Sequence, residues 1–271
     1  MNKTLLGLLA AAGLGLTATA ASADVLSDIM DAGKITVATE MHYAPFDILE
    51  DGKYVGIDAD IFAIMSEKMG VEVEYLDLPW QSILPGLEAG KFDFVIAPVT
   101  MTAERMERYN FSLPIGNATV ALAKKAGDDS IMTPEDIAGK AAGSQKGSAQ
   151  LAQLQAFSDG LETPADVREY GNIDEALADL AAGRLSGVAN SLPLMGYAAV
   201  QRPGVFELVL PPFGDPKYFG WVAAGGDETT TLIAKVNEIL LEMHEDGSLD
   251  AINEKWLGAA PELPTTMPEV Q

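Results

Sequence analysis

Hydrophobic and polar positions along the first half of the chain alternate between two periods. Ile35 to Ala38 reads as a short apolar strand. From Asp58 to Met69 the apolar residues Ile61, Ile64, Met65 and Met69 recur at helical spacing, and Gly70 closes the helix. Val71, Val73 and Tyr75 then alternate with Glu72 and Glu74, the pattern of a strand with one wet face. A short helix is expected over Gln81 to Ala89, ended by Gly90. Phe92 to Ala97 follows as a short apolar run, which suits a strand covered on both faces. This order, βαβαβ, favours a parallel sheet with helices on its faces.

A second set follows with weaker patterning. Strands are expected at Val120–Ala123, Ala141–Ala142, Val167–Tyr170 and Gly187–Ala189. A turn falls at Thr133-Pro134-Glu135-Asp136, and helices at about Ala149–Phe157 and Ile173–Ala182. The last part offers a strand at Phe219–Ala224 and helices at about Thr229–Glu245 and Leu249–Trp256. Pro261 to Gln271 is proline-rich and reads as a flexible tail. The fold class is α/β with two lobes. Ligands of such sheets sit beyond the carboxyl ends of the strands, so a cleft between lobes can be lined from both.

The N-terminus changes the picture of where the protein works. Lys3, the apolar run Leu5–Leu16 and the small residues Ala21-Ser22-Ala23 have the layout of a cleavable leader over residues 1–23. That run is too short to span a bilayer, which takes roughly 20 residues. The expected location is the periplasm. The sequence holds no cysteine, hence neither a disulfide nor a lipid-attachment thiol. Apolar residues make up 48% and mean hydropathy is +0.13, enough for real cores. The formal charge of −23 makes nucleic acid or an anionic membrane an unsuitable partner.

Candidate chemistry concentrates after the buried strand. The loop carries Thr100 and Thr102, then Glu104-Arg105 opens a helix. An arginine fork matches two carboxylate oxygens, and hydroxyls beside it complete an acid-holding site. A solvated arginine at an ordinary strand-to-helix turn would read the same way. A second loop, Ser144-Gln145-Lys146-Gly147-Ser148-Ala149, precedes a helix whose opening amides can hold an anion, although a plain N-cap explains it equally. Tyr43 and Trp80 could be core aromatics or pocket walls, and Glu40 a surface acid or a site residue. His42 and His244 stand at no metal-ligand spacing. No metal or cofactor is expected.

These motifs together resemble the bacterial extracellular solute-binding proteins of family 3. Ala38-Thr39-Glu40-Met41-His42-Tyr43-Ala44-Pro45-Phe46 is similar to that family's opening strand and aromatic loop. Gly56-Ile57-Asp58-Ala59-Asp60 resembles its G-F-D-x-D, and Ala97 to Arg105 followed by Phe111-Ser112-Leu113-Pro114 resembles its ligand loop. Asp246-Gly247-Ser248 with Lys255-Trp256-Leu257-Gly258 resembles its C-terminal signature. The resemblance implies a two-lobe, type II periplasmic binding protein with two crossover strands. Lobe 1 would comprise residues 24–119 and 216–262, lobe 2 residues 120–215, and 263–271 the tail. It implies a monomer that captures a small zwitterionic solute for an ABC importer's inner-membrane permease. Arg105 would grip the solute's carboxylate with help from Thr100 and the amides of Ser148 and Ala149. The Pro98 carbonyl would accept from its amine, and Tyr43 and Trp80 would sandwich its body.

One departure bears on the ligand. Where the family usually carries an aspartate that pairs with an α-ammonium, this chain has Ser191, with Asn190 beside it. A hydroxyl compensates a buried ammonium far less well than a carboxylate. Either Glu40 supplies the countercharge, or the solute lacks a primary α-ammonium, as in ectoine-like cyclic zwitterions. The rival of a different class is an enzyme on the same fold, such as a periplasmic cyclohexadienyl dehydratase, which uses a cleft carboxylate as general acid. No matching acid stands at Asn190 and Ser191.

Overall fold

The structure, a computed structural model, describes residues 24–269. The expected leader, residues 1–23, lies outside the described residues. In chain order the first group of elements is α1 (Val25–Ala32), β1 (Lys34–Thr39), β2 (His42–Tyr43), β3 (Asp47–Glu50), β4 (Lys53–Val55), α2 (Ile57–Met69), β5 (Glu72–Asp77), α3 (Trp80–Glu88), β6 (Phe94–Thr100), α4 (Ala103–Arg108), β7 (Tyr109–Phe111) and β8 (Gly116–Asn117). The second group is β9 (Val120–Lys125), β10 (Ala141–Gln145), α5 (Ala149–Asp159), β11 (Asp166–Tyr170), α6 (Ile173–Ala181), β12 (Gly187–Ser191), α7 (Leu192–Gln201) and β13 (Phe206–Phe213). The chain then returns with β14 (Tyr218–Ala224), α8 (Thr230–Glu245) and α9 (Ser248–Leu257).

Two sheets organise these elements. The first has the order β5-β1-β6-β14-β7, with β8 paired to β14. β1 runs parallel to β5 and β6, as the βαβαβ pattern predicts, while β14 returns antiparallel against β6. All seven residues of β6 are buried, which explains why its sequence lacks polar alternation. The second sheet has the order β11-β10-β12-β9-β13. The chain passes from the first sheet to the second between β8 and β9, and back between β13 and β14. The two crossings lie side by side, with Ala118 N donating to Lys217 O at 2.8 Å.

Beneath the first sheet, Trp221 of β14 meets Phe62 of α2 and Phe94 of β6 edge-on at centroid distances of 5.6 and 6.3 Å. Such pairs contribute roughly 0.5–1.5 kcal/mol beyond area burial. The hairpin β2-β3-β4 folds back over α2, and Gly56 makes this possible. Its φ is 131°, and a Cβ there would stand 2.1 Å from the Phe46 carbonyl oxygen.

Several elements depart from the sequence reading. β10 extends to Gln145, through Gly143, where only Ala141–Ala142 was expected, and β12 extends to Ser191. α7 and β13 were not anticipated. β13 contains Pro211 and Pro212, which argue against a strand; it lies at the sheet edge, where a missing N–H is tolerated, and its register shifts between Val209 and Phe213. The strands of the small third sheet, β2-β3-β4, are too short to show a period. Within the expected tail, Leu263 packs against the hydrophobic core.

Candidate functional site

The sequence-selected residues converge because the parallel strands of both sheets end at the same gap. Glu40 follows β1, Tyr43 lies in β2, and Pro98 and Thr100 end β6. Pro98 sits within a central strand, where it withholds a ladder donor; opposite it, β14 shifts register between Gly220 and Val222. Thr102 caps α4, its hydroxyl accepting from Arg105 N at 3.3 Å, and so fixes where the arginine departs. Trp80 is the first residue of α3. From the second sheet, Gln145 ends β10 and Ser148 caps α5, its hydroxyl accepting from Leu151 N at 3.0 Å.

Glu40, Tyr43, Trp80, Pro98, Thr100, Arg105 and Ser148 all line one cavity. Gln145, Gln150, Asp47 and Ala97, which the sequence reading did not assign, complete it. The cavity encloses about 320 Å³, and its lining side chains bond to one another across it. The side chains therefore fill much of the gap themselves, and a solute must displace some of their mutual contacts.

Those contacts bridge the lobes. Gln145 Nε2 donates to both carboxylate oxygens of Glu40, at 2.8 and 2.7 Å. Gln150 Nε2 donates to the Thr100 hydroxyl at 3.0 Å. The Trp80 indole N–H donates to Gly147 O at 3.0 Å, and Gln81 Nε2 to the carbonyls of Lys146 and Gly171, both at 3.1 Å. At the rim, His42 Nδ1 lies 3.7 Å from Asp174 Oδ2.

The Arg105 guanidinium donates to carbonyls, Thr100 O at 3.2 Å and Gly147 O at 3.3 Å, and its central carbon stands 5.3 Å from the centre of the Trp80 ring. Among the ion pairs of the described residues it has no carboxylate partner. Desolvation lowers its pKa from the usual arginine value, so an anion from solution would relieve it. Glu40 is only 4% exposed, not a surface acid, and burial pushes its pKa up to about 7 against the opposing effect of the Gln145 hydrogen bond.

Three expected site residues stand elsewhere. Ala149, Asn190 and Ser191 do not line the cavity. Ala149 is half-buried at the start of α5. Asn190 and Ser191 lie fully buried in β12, where Asn190 Oδ1 accepts from the Tyr43 hydroxyl at 2.5 Å and from Ser191 N at 2.7 Å. Tyr43 thus ties the lobes together with its hydroxyl, while its ring packs on Phe46 and Phe219 at 6.3 and 6.2 Å.

The sequence profile of the bacterial extracellular solute-binding proteins, family 3, matches residues 35–259. The chain belongs to this family. Among curated relatives, the L-cystine-binding protein TcyJ of Escherichia coli strain K12 is 29% identical over 262 residues, covering 95% of this chain and 96% of the relative. Among solved structures, an ancestral arginine-binding protein bound to glutamine is similar with a TM-score of 0.75 at 34% identity, covering 83% of this chain and 98% of its own. An ancestral amino acid-binding protein, AncCDT-1, described as a precursor of cyclohexadienyl dehydratase, gives a TM-score of 0.77 at 29% identity, covering 86% and 100%. The family likeness and the two-sheet, two-crossing architecture agree.

Proposed function

We propose that this family member is the periplasmic capture component of an ABC importer, closing its lobes on a small amino acid or amino-acid-like zwitterion. The observation that carries the reading is Arg105, a cleft guanidinium spending its donors on carbonyls beside hydroxyls of both lobes. A solute carboxylate would replace Gly147 O as its partner, and the solute's cation would meet Glu40. The Pro98 carbonyl and the ring faces of Tyr43 and Trp80 complete the cradle. Ser191 takes no direct part, because Tyr43 and Asn190 close that wall. Contacts to both lobes make the solute bind the closed form better than the open one, which shifts the population. The closed shape is what a permease would read.

The enzyme reading has one feature in its favour, an acid in the cleft with a pKa of about 7. Both oxygens of Glu40, however, accept from Gln145, which holds it as an acceptor rather than a proton donor. Capture without chemistry fits better. A thermal-shift panel of amino acids, ectoines, betaines and sulfonates tests this. A captured solute at about 100 times its Kd stabilises by about 2.7 kcal/mol, or about 5–10 °C for a chain of this size. A panel without shifts, together with aromatic product from prephenate, would favour the enzyme.

A further inference from the structure

Asp47 lines the cavity and Asp58 does not, yet the two carboxyls interact and both are fully buried. Asp47 Oδ1 accepts from the Tyr54 hydroxyl, and Asp58 Oδ1 accepts from the Trp221 indole at 3.1 Å. The Oδ2 atom of each has no hydrogen-bond partner. Neither carboxyl belongs to an ion pair among the described residues. The ionisable groups acting on Asp47 from the surrounding elements are Glu40 after β1, Tyr43 of β2, Asp77 at the end of β5, Tyr54 of β4 and Asp58 of α2. All of them are acids, and the cavity's one base, Arg105, is turned to carbonyls.

Two bare anions in such a place would be strongly disfavoured, and a single proton removes the conflict. Its location follows from the surroundings. Asp58 lies in the first turn of α2, where the helix dipole favours negative charge, and the Trp221 N–H supports it further. Asp47 has no helix terminus beside it and lines the cavity. Burial, the first cause, and mutual repulsion push both carboxyls well above the usual range, in the direction that geometry requires.

We propose that Asp47 stands in the cavity as a neutral acid, its charge suppressed by Asp58, so that the site selects solutes with one carboxylate and one cation over solutes with a second cation. This rests on the capture reading above. Arg105 and Glu40 then match the solute's two charges, and Asp47 offers a hydroxyl and a carbonyl in place of a third charge. A guanidinium or second ammonium would find no free anion there, and the net positive charge would remain uncompensated.

The test begins with the ligand-free protein. Infrared spectra of the wild type near pH 7.5, in H₂O and D₂O, should show a carboxylic-acid C=O band with its deuterium shift. Asp47→Asn should remove the part of the band that Glu40→Gln leaves, and Asp58→Asn should weaken that part by easing the repulsion on Asp47. No such band in the wild type, or a band unchanged in Asp47→Asn with native circular dichroism, overturns the proposal. The wild-type measurement stands even where a variant fails to fold. In the thermal-shift panel, the strongest binder should carry no net charge, and Asp58→Asn should raise L-arginine's affinity relative to L-glutamine at least about tenfold. A strongest wild-type binder of net positive charge overturns the selectivity. A panel in which nothing binds sinks the capture reading instead, and the infrared result is decided without it.

Discussion

Gln145 holds both carboxylate oxygens of Glu40 with one amide nitrogen, across the gap between the two sheets. A neutral donor from one lobe thereby secures the cleft's acid from the other without any solute. Hydrogen bonds to a charged group are worth about 1.5–3 kcal/mol, which is enough to decide a two-state equilibrium. Gln145→Ala should shift the ligand-free protein toward the open form by roughly ten- to a hundredfold in the closed-to-open ratio. Small-angle scattering would register this as a larger radius of gyration, and a wild-type value would show that the bond does not hold the closure.

Glu40 makes binding and stability depend on pH in opposite ways. Its folded pKa of about 7 lies above the ordinary glutamate value of 4.5, so between these the folded protein binds more protons than the unfolded chain. The stabilising effect of that proton is fully present below about 4.5 and is lost as pH rises through about 7. Its size is on the order of 3 kcal/mol. Capture of a cation by Glu40 needs the anion, so affinity should weaken as pH falls below about 7. Calorimetric titrations at pH 6 and 8 check the second effect and thermal melts the first. Glu40→Gln should flatten both.

Tyr43 anchors the opposite wall through Asn190. Tyr43→Phe keeps the ring on Phe46 and Phe219 and removes only the hydroxyl. The expected cost is about 1 kcal/mol, a melting shift of about 2–4 °C, together with weaker solute binding from a loosened closure. A variant with wild-type melting and affinity would show that this bond contributes nothing.

The parts of the site legible in the sequence share a physical reason. β6 is buried on both faces, so its apolar run stands out, and the Thr102 cap marks where Arg105 departs. Glu40, Tyr43 and Ser148 likewise follow strands or open a helix. Gln145 and Gln150 were invisible because a neutral amide has no spacing rule, and because β10 passes through Gly143 before reaching Gln145. Asn190 and Ser191 looked like cleft residues by position. In the fold they end β12 against Ala121 and Val120 of β9, and Asn190 meets the Tyr43 hydroxyl there instead of lining the cavity. Asp47 could have drawn notice only from the pairing of β2 with β3, which sets it opposite Tyr43.

Solute capture turns on the Arg105 fork, and one titration tests it. The solute that gives the largest thermal shift should be measured by isothermal calorimetry against wild type and Arg105→Ala. Leaving its carboxylate unpaired in the cleft should cost about 2–5 kcal/mol, or about thirty- to several-thousand-fold in Kd. An affinity for Arg105→Ala within about threefold of wild type would contradict the assignment.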